Sequence, residues 1–385
     1  MIKLFDKTTE FIHGSSKNNE NSYNYYQKSS REDIGIIRNV LETWFSKFPE
    51  DEKKELKNRF KKDLDSAFFE LFLFTLLSKL GFKIEIHPEL KTSKKRPDFL
   101  ITKNGLSAYV EAKICYDKID EEMAFERMQN QFYDDINKVR IEGFLLAIDE
   151  LEFKTKKQPS VKALNAKIVK EIELLDPKNV YAQLKKYGFE YIPKIEFENT
   201  DVKIVLKAMP LPESEQERIS ESPIGMFPIE TFWGGGEESL KTSIIKKAKR
   251  YGKFEIPYLI CVNSLGKKTS GKIDIENVIW GSLQYSYSTD PKNRNGKTTR
   301  AENGVFYNSK KAKLTNVSGI LVTKIFPSNI PNGKYWVYKN PFATNEFEFE
   351  NLGLVYSYVE ENKIISNEGN DFDVIFGIPK DWLHE

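Results

Sequence analysis

One stretch constrains this chain more than any other: Asp63 to Gly81, with the sequence DLDSAFFELFLFTLLSKLG. At helical period its apolar residues fall on nearly every face, and a helix with no solvated side has to be buried. Asp63 or Asp65 is placed to cap its start and Gly81 to end it. Its clean apolar run, Leu71 to Leu77, is far shorter than the ~20 residues that span a bilayer, so the helix is expected inside a folded domain and no membrane partner is expected. Glu70 lies in the middle of it. Its neighbours three and four positions away are Ser66, Ala67, Leu73 and Phe74. An isolated carboxylate there is driven neutral by burial, so a metal or a water network beside it is the better expectation.

The rest of the pattern is mixed. Residues 13–32 are polar and rich in Asn and Ser, which reads as a loop or arm. Ile34, Ile37, Leu41, Trp44, Phe45 and Phe48 recur at helical spacing before Pro49, predicting an amphipathic helix. After the buried helix, Phe82–Ile86 alternates, 98–102 is short and apolar, and Leu106–Lys113 alternates again. A helix is predicted over 120–140 and a buried strand over Gly143–Ile148. Val161–Leu175 reads as a helix and Lys194–Met209 as a hairpin around Asn199-Thr200-Asp201. Pro257–Asn263 and Val317–Ile325 read as central strands. Leu240, Ile244, Ile245 and Ala248 form the apolar stripe of a helix whose other face carries Lys241, Lys246, Lys249 and Arg250.

The chemistry concentrates between Glu70 and Lys113. Asn104-Gly105 between two apolar runs signals a two-residue type I′ hairpin, whose central residues both need positive φ. Lys103 then opposes Leu106, and stepping outward Asp98 opposes Glu111. Directly opposed residues share a sheet face, with Cβ atoms ~4.5–5.5 Å apart. Lys113, two residues on, shares that face. Two opposed carboxylates in an apolar sheet repel. A divalent cation removes the conflict, and Mg²⁺ takes hard oxygen ligands, commonly one or two carboxylates with waters and phosphate oxygens. Such a site suits metal-assisted phosphodiester hydrolysis.

Pro97-Asp98 followed by Glu111-Ala112-Lys113, with Glu70 on the preceding helix, resembles the PD-(D/E)xK nuclease superfamily. Residues 63–148 carry the resemblance. It implies an α/β fold with a restriction-endonuclease-like core, ordered helix, three antiparallel strands, helix, strand. It implies that Asp98, Glu111 and the carbonyl of Ala112 bind Mg²⁺, which Mn²⁺ can replace. It further implies that Glu70 assists metal or water binding and that Lys113 positions the attacking water. The bare (D/E)xK pattern also occurs at Glu52, Glu55, Glu89 and Asp176; the hairpin register and the buried helix single out Glu111.

Weaker candidates surround this set. Lys94, Lys95 and Arg96 lie on the loop feeding Asp98 and are candidates for phosphate contact, as are Lys246, Lys249 and Arg250. Gln129 and Tyr133 have the spacing seen in an exonuclease-like branch of the superfamily. His87 ends the first strand. Trp233, Tyr285, Tyr287 and Trp336 are candidates for stacking on unpaired bases, against the commoner use of such residues in a core.

Composition bounds the function. The chain has 59 Lys+Arg against 57 Asp+Glu, so net charge alone does not announce a nucleic-acid binder. Two cysteines, far apart, exclude a disulfide scaffold and a cysteine zinc site, and three histidines leave little for a histidine-based site. With no signal-peptide core at the N-terminus, a cytoplasmic location is expected. Three parts are expected: an N-terminal arm and helices over 1–62, a nuclease-like core with insertions over 63–265, and an accessory β-rich part over 266–385. The function expected is a Mg²⁺-dependent, restriction-like DNA endonuclease acting on duplex DNA, as a possible homodimer. The alternatives are an RNA-directed nuclease, and a catalytically silent nucleic-acid-binding module on the same fold.

Overall fold

The computed structural model describes residues 2–90, 93–118, 120–228, 235–269, 271–290, 292, 295–308, 310–361 and 363–384. The chain divides into two compact units. Met1–Gly14, Asn21–Asp117 and Phe232–Glu385 form the first, and Ser15–Glu20 with Lys118–Thr231 the second.

The first unit begins with helices α1 (Ser22–Lys28), α2 (Glu32–Ser46), α3 (Lys53–Lys62) and α4 (Leu64–Lys79). Helix α1 lies within the polar stretch expected to be an arm. It folds because Tyr23 and Tyr25 are buried and the Asn21 side chain caps it at the Asn24 N–H. In α4 the Asp63 carboxylate accepts from the Ser66 N–H, and every residue from Ala67 to Leu77 is buried. Each such Leu or Phe contributes about 1.5–3 kcal/mol. At its end Gly81 takes φ +84°, and the Phe82 N–H donates to the Leu77 carbonyl at 3.0 Å. Strands β1 (Lys83–Ile86), β2 (Phe99–Lys103) and β3 (Leu106–Cys115) follow. Lys103 opposes Leu106 and Phe99 opposes Val110, while Asn104 and Gly105 both have positive φ, so the hairpin register read from the sequence is the one formed.

The second unit contributes α5 (Asp120–Ile136), β4 (Ile141–Glu142), β5 (Phe144–Phe153), α6 (Lys162–Ile172), α7 (Pro177–Tyr187), β6 (Lys194–Glu198), β7 (Val202–Pro210), β8 (Ile219–Ser220) and β9 (Ile224–Met226). Its sheet runs β6-β7-β5-β9. The expected hairpin at 194–209 forms, with the Asn199 side chain accepting the Asp201 and Val202 N–H groups at 2.9 Å. Phe132, Phe144, Leu146, Ile168 and Leu206 belong to a core of its own.

The chain returns to the first unit with α8 (Gly236–Ala248), β10 (Tyr258–Ser264), α9 (Lys272–Trp280), β11 (Leu283–Tyr287), β12 (Gly296–Arg300), β13 (Tyr307–Asn308), β14 (Lys311–Ala312), β15 (Gly319–Lys324), β16 (Lys334–Lys339), β17 (Tyr356–Glu360), β18 (Lys363–Ser366) and α10 (Phe372–Phe376). Its main sheet is ordered β1-β2-β3-β10-β15-β16-β17-β18, with β10 parallel to both β3 and β15. Helices α2, α4 and α10 cover one face over a phenylalanine-rich core, and α8 and α9 cover the other.

Two sequence expectations are corrected here. The helix over 120–140 and the strand over 143–148 were expected to complete the sheet carrying Asp98 and Glu111. They belong instead to the second unit, whose separate core makes 118–231 an insertion. The helix and parallel strand that complete the site's sheet are α8 and β10. Residues 266–385, read as an accessory part, supply four strands of that sheet, β15 to β18. The chain is mixed α/β, and among the described residues no helix is long and apolar enough to cross a membrane.

Candidate active site

Period-two alternation along β3 sorts its side chains. Ala108, Val110 and Ile114 pack into the core beneath α4, while Tyr109, Glu111, Lys113 and Cys115 face α8 and α9. Continuing the hairpin register by one step opposes Asp98 to Glu111, so the two carboxylates share that face. The Asp98 Oδ2 accepts the Ala112 N–H at 2.6 Å, and the Asp98 carbonyl accepts the His87 N–H at 3.0 Å. His87, expected as a marginal candidate, also faces Glu52 at 3.8 Å.

Glu111 is 1% exposed. Lys247, in the last turn of α8, makes an ion pair with its Oε1, and the Tyr251 hydroxyl donates to Oε2 at 2.5 Å. The Arg250 guanidinium stands 3.6 Å from the same carboxylate. The Tyr251 hydroxyl is also 2.7 Å from the Arg96 carbonyl, which ties the loop before Asp98 to the site. Phe254 and Tyr258 pack around Tyr251, with ring centroids at 5.6 and 6.1 Å. This aromatic wall lowers the local dielectric and strengthens every charge interaction inside it.

The electrostatics follow from that burial. Desolvation raises the Asp98 carboxyl above its ordinary range, with Glu70 adding to the rise while the Ala112 N–H and Lys247 oppose it. Desolvation also raises Glu111, and the Asp98 charge pushes it further, against Lys247 and Tyr251. Burial and the bond to Glu111 push the Tyr251 phenol up, so it stays a donor. The site is a repelling carboxylate pair held in check by the Lys247 ammonium, the Tyr251 phenol, the Ala112 N–H and, at longer range, the Arg250 guanidinium.

The other candidates are distributed as follows. Glu70 is buried as expected, but its charge is answered by Arg59 of α3. That guanidinium grips both oxygens, Nη2 to Oε1 at 2.7 Å and Nη1 to Oε2. The Ala112 backbone is joined to Asp98. Lys113 is exposed and, among the described residues, makes no ion pair or side-chain hydrogen bond. Lys94 and Lys95 are exposed beside the site, while the Arg96 side chain is exposed but paired with Glu89. Lys246 and Lys249 are exposed on α8. Gln129 and Tyr133 lie on α5 in the second unit. Trp233 lies outside the described residues. Trp336 is half-buried against the core under α8 and α9. Among the described residues no group of three or more His, Cys, Asp or Glu side chains comes together as a metal cage.

Sequence reasoning missed Lys247, Tyr251 and Arg59. A signal for the first existed: Lys247 falls three residues after Ile244, on the buried stripe of Leu240, Ile244 and Ala248 rather than on the helix's polar face.

Comparison with protein-family models, with curated proteins and with solved structures gives no match.

Proposed function

We propose that this chain is a Mg²⁺-dependent nuclease that hydrolyses phosphodiester bonds, with DNA as its substrate. The observation that carries the reading is the Asp98–Glu111 pair, two desolvated, mutually repelling carboxylates on one sheet face, with Lys113 exposed on the same face and without an ion-pair partner among the described residues. An ordinary hairpin gains nothing from such a pair, because like charges across strands destabilise it. The element order supports the reading too. Helix α4, three antiparallel strands, helix α8 and the parallel strand β10 follow the order that the resemblance to PD-(D/E)xK nucleases implies, once the insertion at 118–231 is set aside.

The donor set fits Mg²⁺. Two carboxylates and the Ala112 carbonyl are hard oxygens, and Mg²⁺ needs few protein ligands because it keeps several waters. Bound by Asp98, Glu111 and Ala112, it would supply Lewis-acid polarisation of a phosphate oxygen. The chain's own residues do the rest. Lys113, exposed on that face, orients a water for in-line attack. Tyr251 and the Ala112 N–H fix the two carboxylates in place. Lys94, Lys95, Lys246 and Lys249 meet the phosphate backbone. The resemblance implies products with 5′-phosphate and 3′-hydroxyl ends.

A second reading, a catalytically silent nucleic-acid-binding module, is favoured by one observation: both oxygens of Glu111 are already engaged by Lys247 and Tyr251. Cleavage of labelled duplex DNA, single-stranded DNA and RNA with Mg²⁺, Mn²⁺ or EDTA separates the readings. The nuclease reading expects metal-dependent cutting that Asp98→Asn abolishes. Binding without cutting of any probe supports the silent module.

A further inference from the structure

Strands β11 and β12 form a ribbon of two strands among the described residues, separate from the main sheet. Its aromatic face is bare: Leu283 is 52%, Tyr285 66% and Tyr287 68% exposed. An isolated two-stranded ribbon is marginal in water, and this one is held at its base by hydrogen bonds rather than by a core. Arg300 donates to Glu276 at 2.7 Å and to the Gly281 carbonyl at 3.0 Å. The Leu283 N–H donates to Asn277 at 3.0 Å. Beyond that base the two tyrosine rings lie on one face, with centroids 6.1 Å apart and planes inclined by 33°. Tyr285 lies across the ribbon toward Gly296, where a Cβ would stand 1.8 Å from its hydroxyl.

The chemistry of the ribbon selects its occupant. Leu283 to Lys297 carries Lys292, Arg294 and Lys297 against the single acid Asp290, in a chain otherwise near neutrality, while Arg300 is paired with Glu276 at the base. Hydroxyl and amide side chains fill most other positions. Exposed π faces combined with excess positive charge match a polyanion whose bases are free to stack; a duplex hides those faces. The ribbon grows from the end of α9, which packs against α8, the helix that brings Lys247 to Glu111. Ribbon and carboxylate pair therefore belong to the same side of the main sheet.

We infer that this ribbon is a docking element for an unpaired stretch of nucleic acid, with Tyr285 and Tyr287 stacking on bases and Lys292, beyond the paired strands, meeting phosphates. The inference rests on the nuclease reading and narrows its substrate to one with single-stranded character. It is tested by fluorescence anisotropy of the full chain in EDTA, where no cutting intervenes. The probes are a labelled ~20-residue oligothymidylate, an oligouridylate of equal length and a blunt duplex of ~20 base pairs. Tyr285→Ala and Tyr287→Ala are each expected to weaken binding to the single strands about 5- to 100-fold, with the duplex changed much less. Tyr285→Phe/Tyr287→Phe is expected to retain wild-type affinity, because stacking needs the ring and not the hydroxyl. The two oligonucleotides distinguish DNA from RNA as the source of the bases. Wild-type affinity for both single strands in the double alanine variant, with the fold verified by circular dichroism, overturns the inference. So does an equal loss on the duplex, which would assign the ribbon to a groove or the backbone. Cleavage is scored separately with Mg²⁺. Tyrosine-dependent binding in a protein that cuts no probe upholds the ribbon and sinks only the nuclease reading.

Discussion

The Lys247 ammonium rests on the Glu111 carboxylate, joining the last turn of α8 to the middle of β3 across 136 residues of sequence. The carboxylate is buried and Asp98 repels it, which raises its pKa; the lysine, with the Tyr251 hydroxyl, opposes that rise in the metal-free protein. A cation that takes Glu111 as a ligand competes with that ammonium.

Lys247→Met removes the competitor and leaves Glu111 with the Tyr251 hydroxyl and the more distant Arg250 guanidinium. Breaking a buried ion pair from one side costs about 3–5 kcal/mol. The metal-free variant is expected to melt several degrees below the wild type. Added Mg²⁺ is expected to stabilise the variant more than the wild type, because nothing has to be displaced. Differential scanning fluorimetry over a Mg²⁺ titration reads both effects. A variant whose Mg²⁺ response matches the wild type's would show that Lys247 and the metal do not compete for Glu111.

The same pair sets a pH dependence. The folded state holds Asp98 and Glu111 above their ordinary values, chiefly by burial. Between the ordinary and the raised values the folded protein therefore binds more protons than the unfolded chain, and stability falls as pH rises. The contribution is complete below the ordinary carboxylate range and gone above the raised values. Asp98→Asn keeps an acceptor for the Ala112 N–H, removes one charge and relieves the other. The stability difference between Asp98→Asn and wild type, both metal-free, is expected to grow in the variant's favour as pH increases. Chemical denaturation across ~pH 4–8 measures it; a difference that shrinks with pH would mean the two carboxylates do not repel in the fold.

These relationships also show what the sequence carried and what it could not. The Asp98–Glu111 register was legible because it depends on local chemistry: Asn104-Gly105 sets the turn, and strand alternation does the rest. The burial of α4 was legible from its uniform apolarity. Two things were not. Residues 118–231 fold around their own core, so the helix and strand next in sequence were assigned to a sheet that is completed more than a hundred residues later by α8 and β10. And the partners of the buried charges come from runs that look solvated. Arg59 sits among the lysines of α3, and Lys247 within Lys246 to Arg250. Composition marks such runs as surface; only three-dimensional packing shows which member turns inward.

Arg59 and Glu70 test whether the helix carboxylate serves the fold, the metal or both. Arg59→Met strands a buried carboxylate and is expected to destabilise by about 3–5 kcal/mol. Arg59→Met/Glu70→Leu replaces the pair with apolar groups and is expected to recover most of that loss. Calorimetric Mg²⁺ titration of the recovered double variant decides the role. Weakened affinity keeps Glu70 near the metal, and unchanged affinity assigns it to holding α3 against α4.

Lys94 and Lys95 are exposed and, among the described residues, have no ion-pair partner; Arg96 is paired with Glu89. Lys94→Ala/Lys95→Ala is expected to flatten the salt dependence of duplex binding by ~0.9 in log–log slope for each phosphate the two lysines neutralise. Adding Arg96→Ala is expected to change the slope less than either lysine does. An unchanged slope in the double variant returns the loop to solvent.

Lys113 separates the enzyme from the silent module. It is exposed and, among the described residues, has no partner to lose, so Lys113→Ala is expected to leave both the melting temperature and Mg²⁺ affinity at wild-type values. If it orients the attacking water, its removal costs ~10²–10⁴ in cleavage rate at saturating substrate. Lys247→Met makes the contrast, since that lysine supports the fold and competes with the metal, and its loss shows in stability before it shows in rate. A Lys113→Ala protein that cuts at the wild-type rate would remove this residue from the chemistry. Lys247, the ammonium that pairs with Glu111 among the described residues, would then be the next candidate, and the water-orienting role would have to be sought on α8.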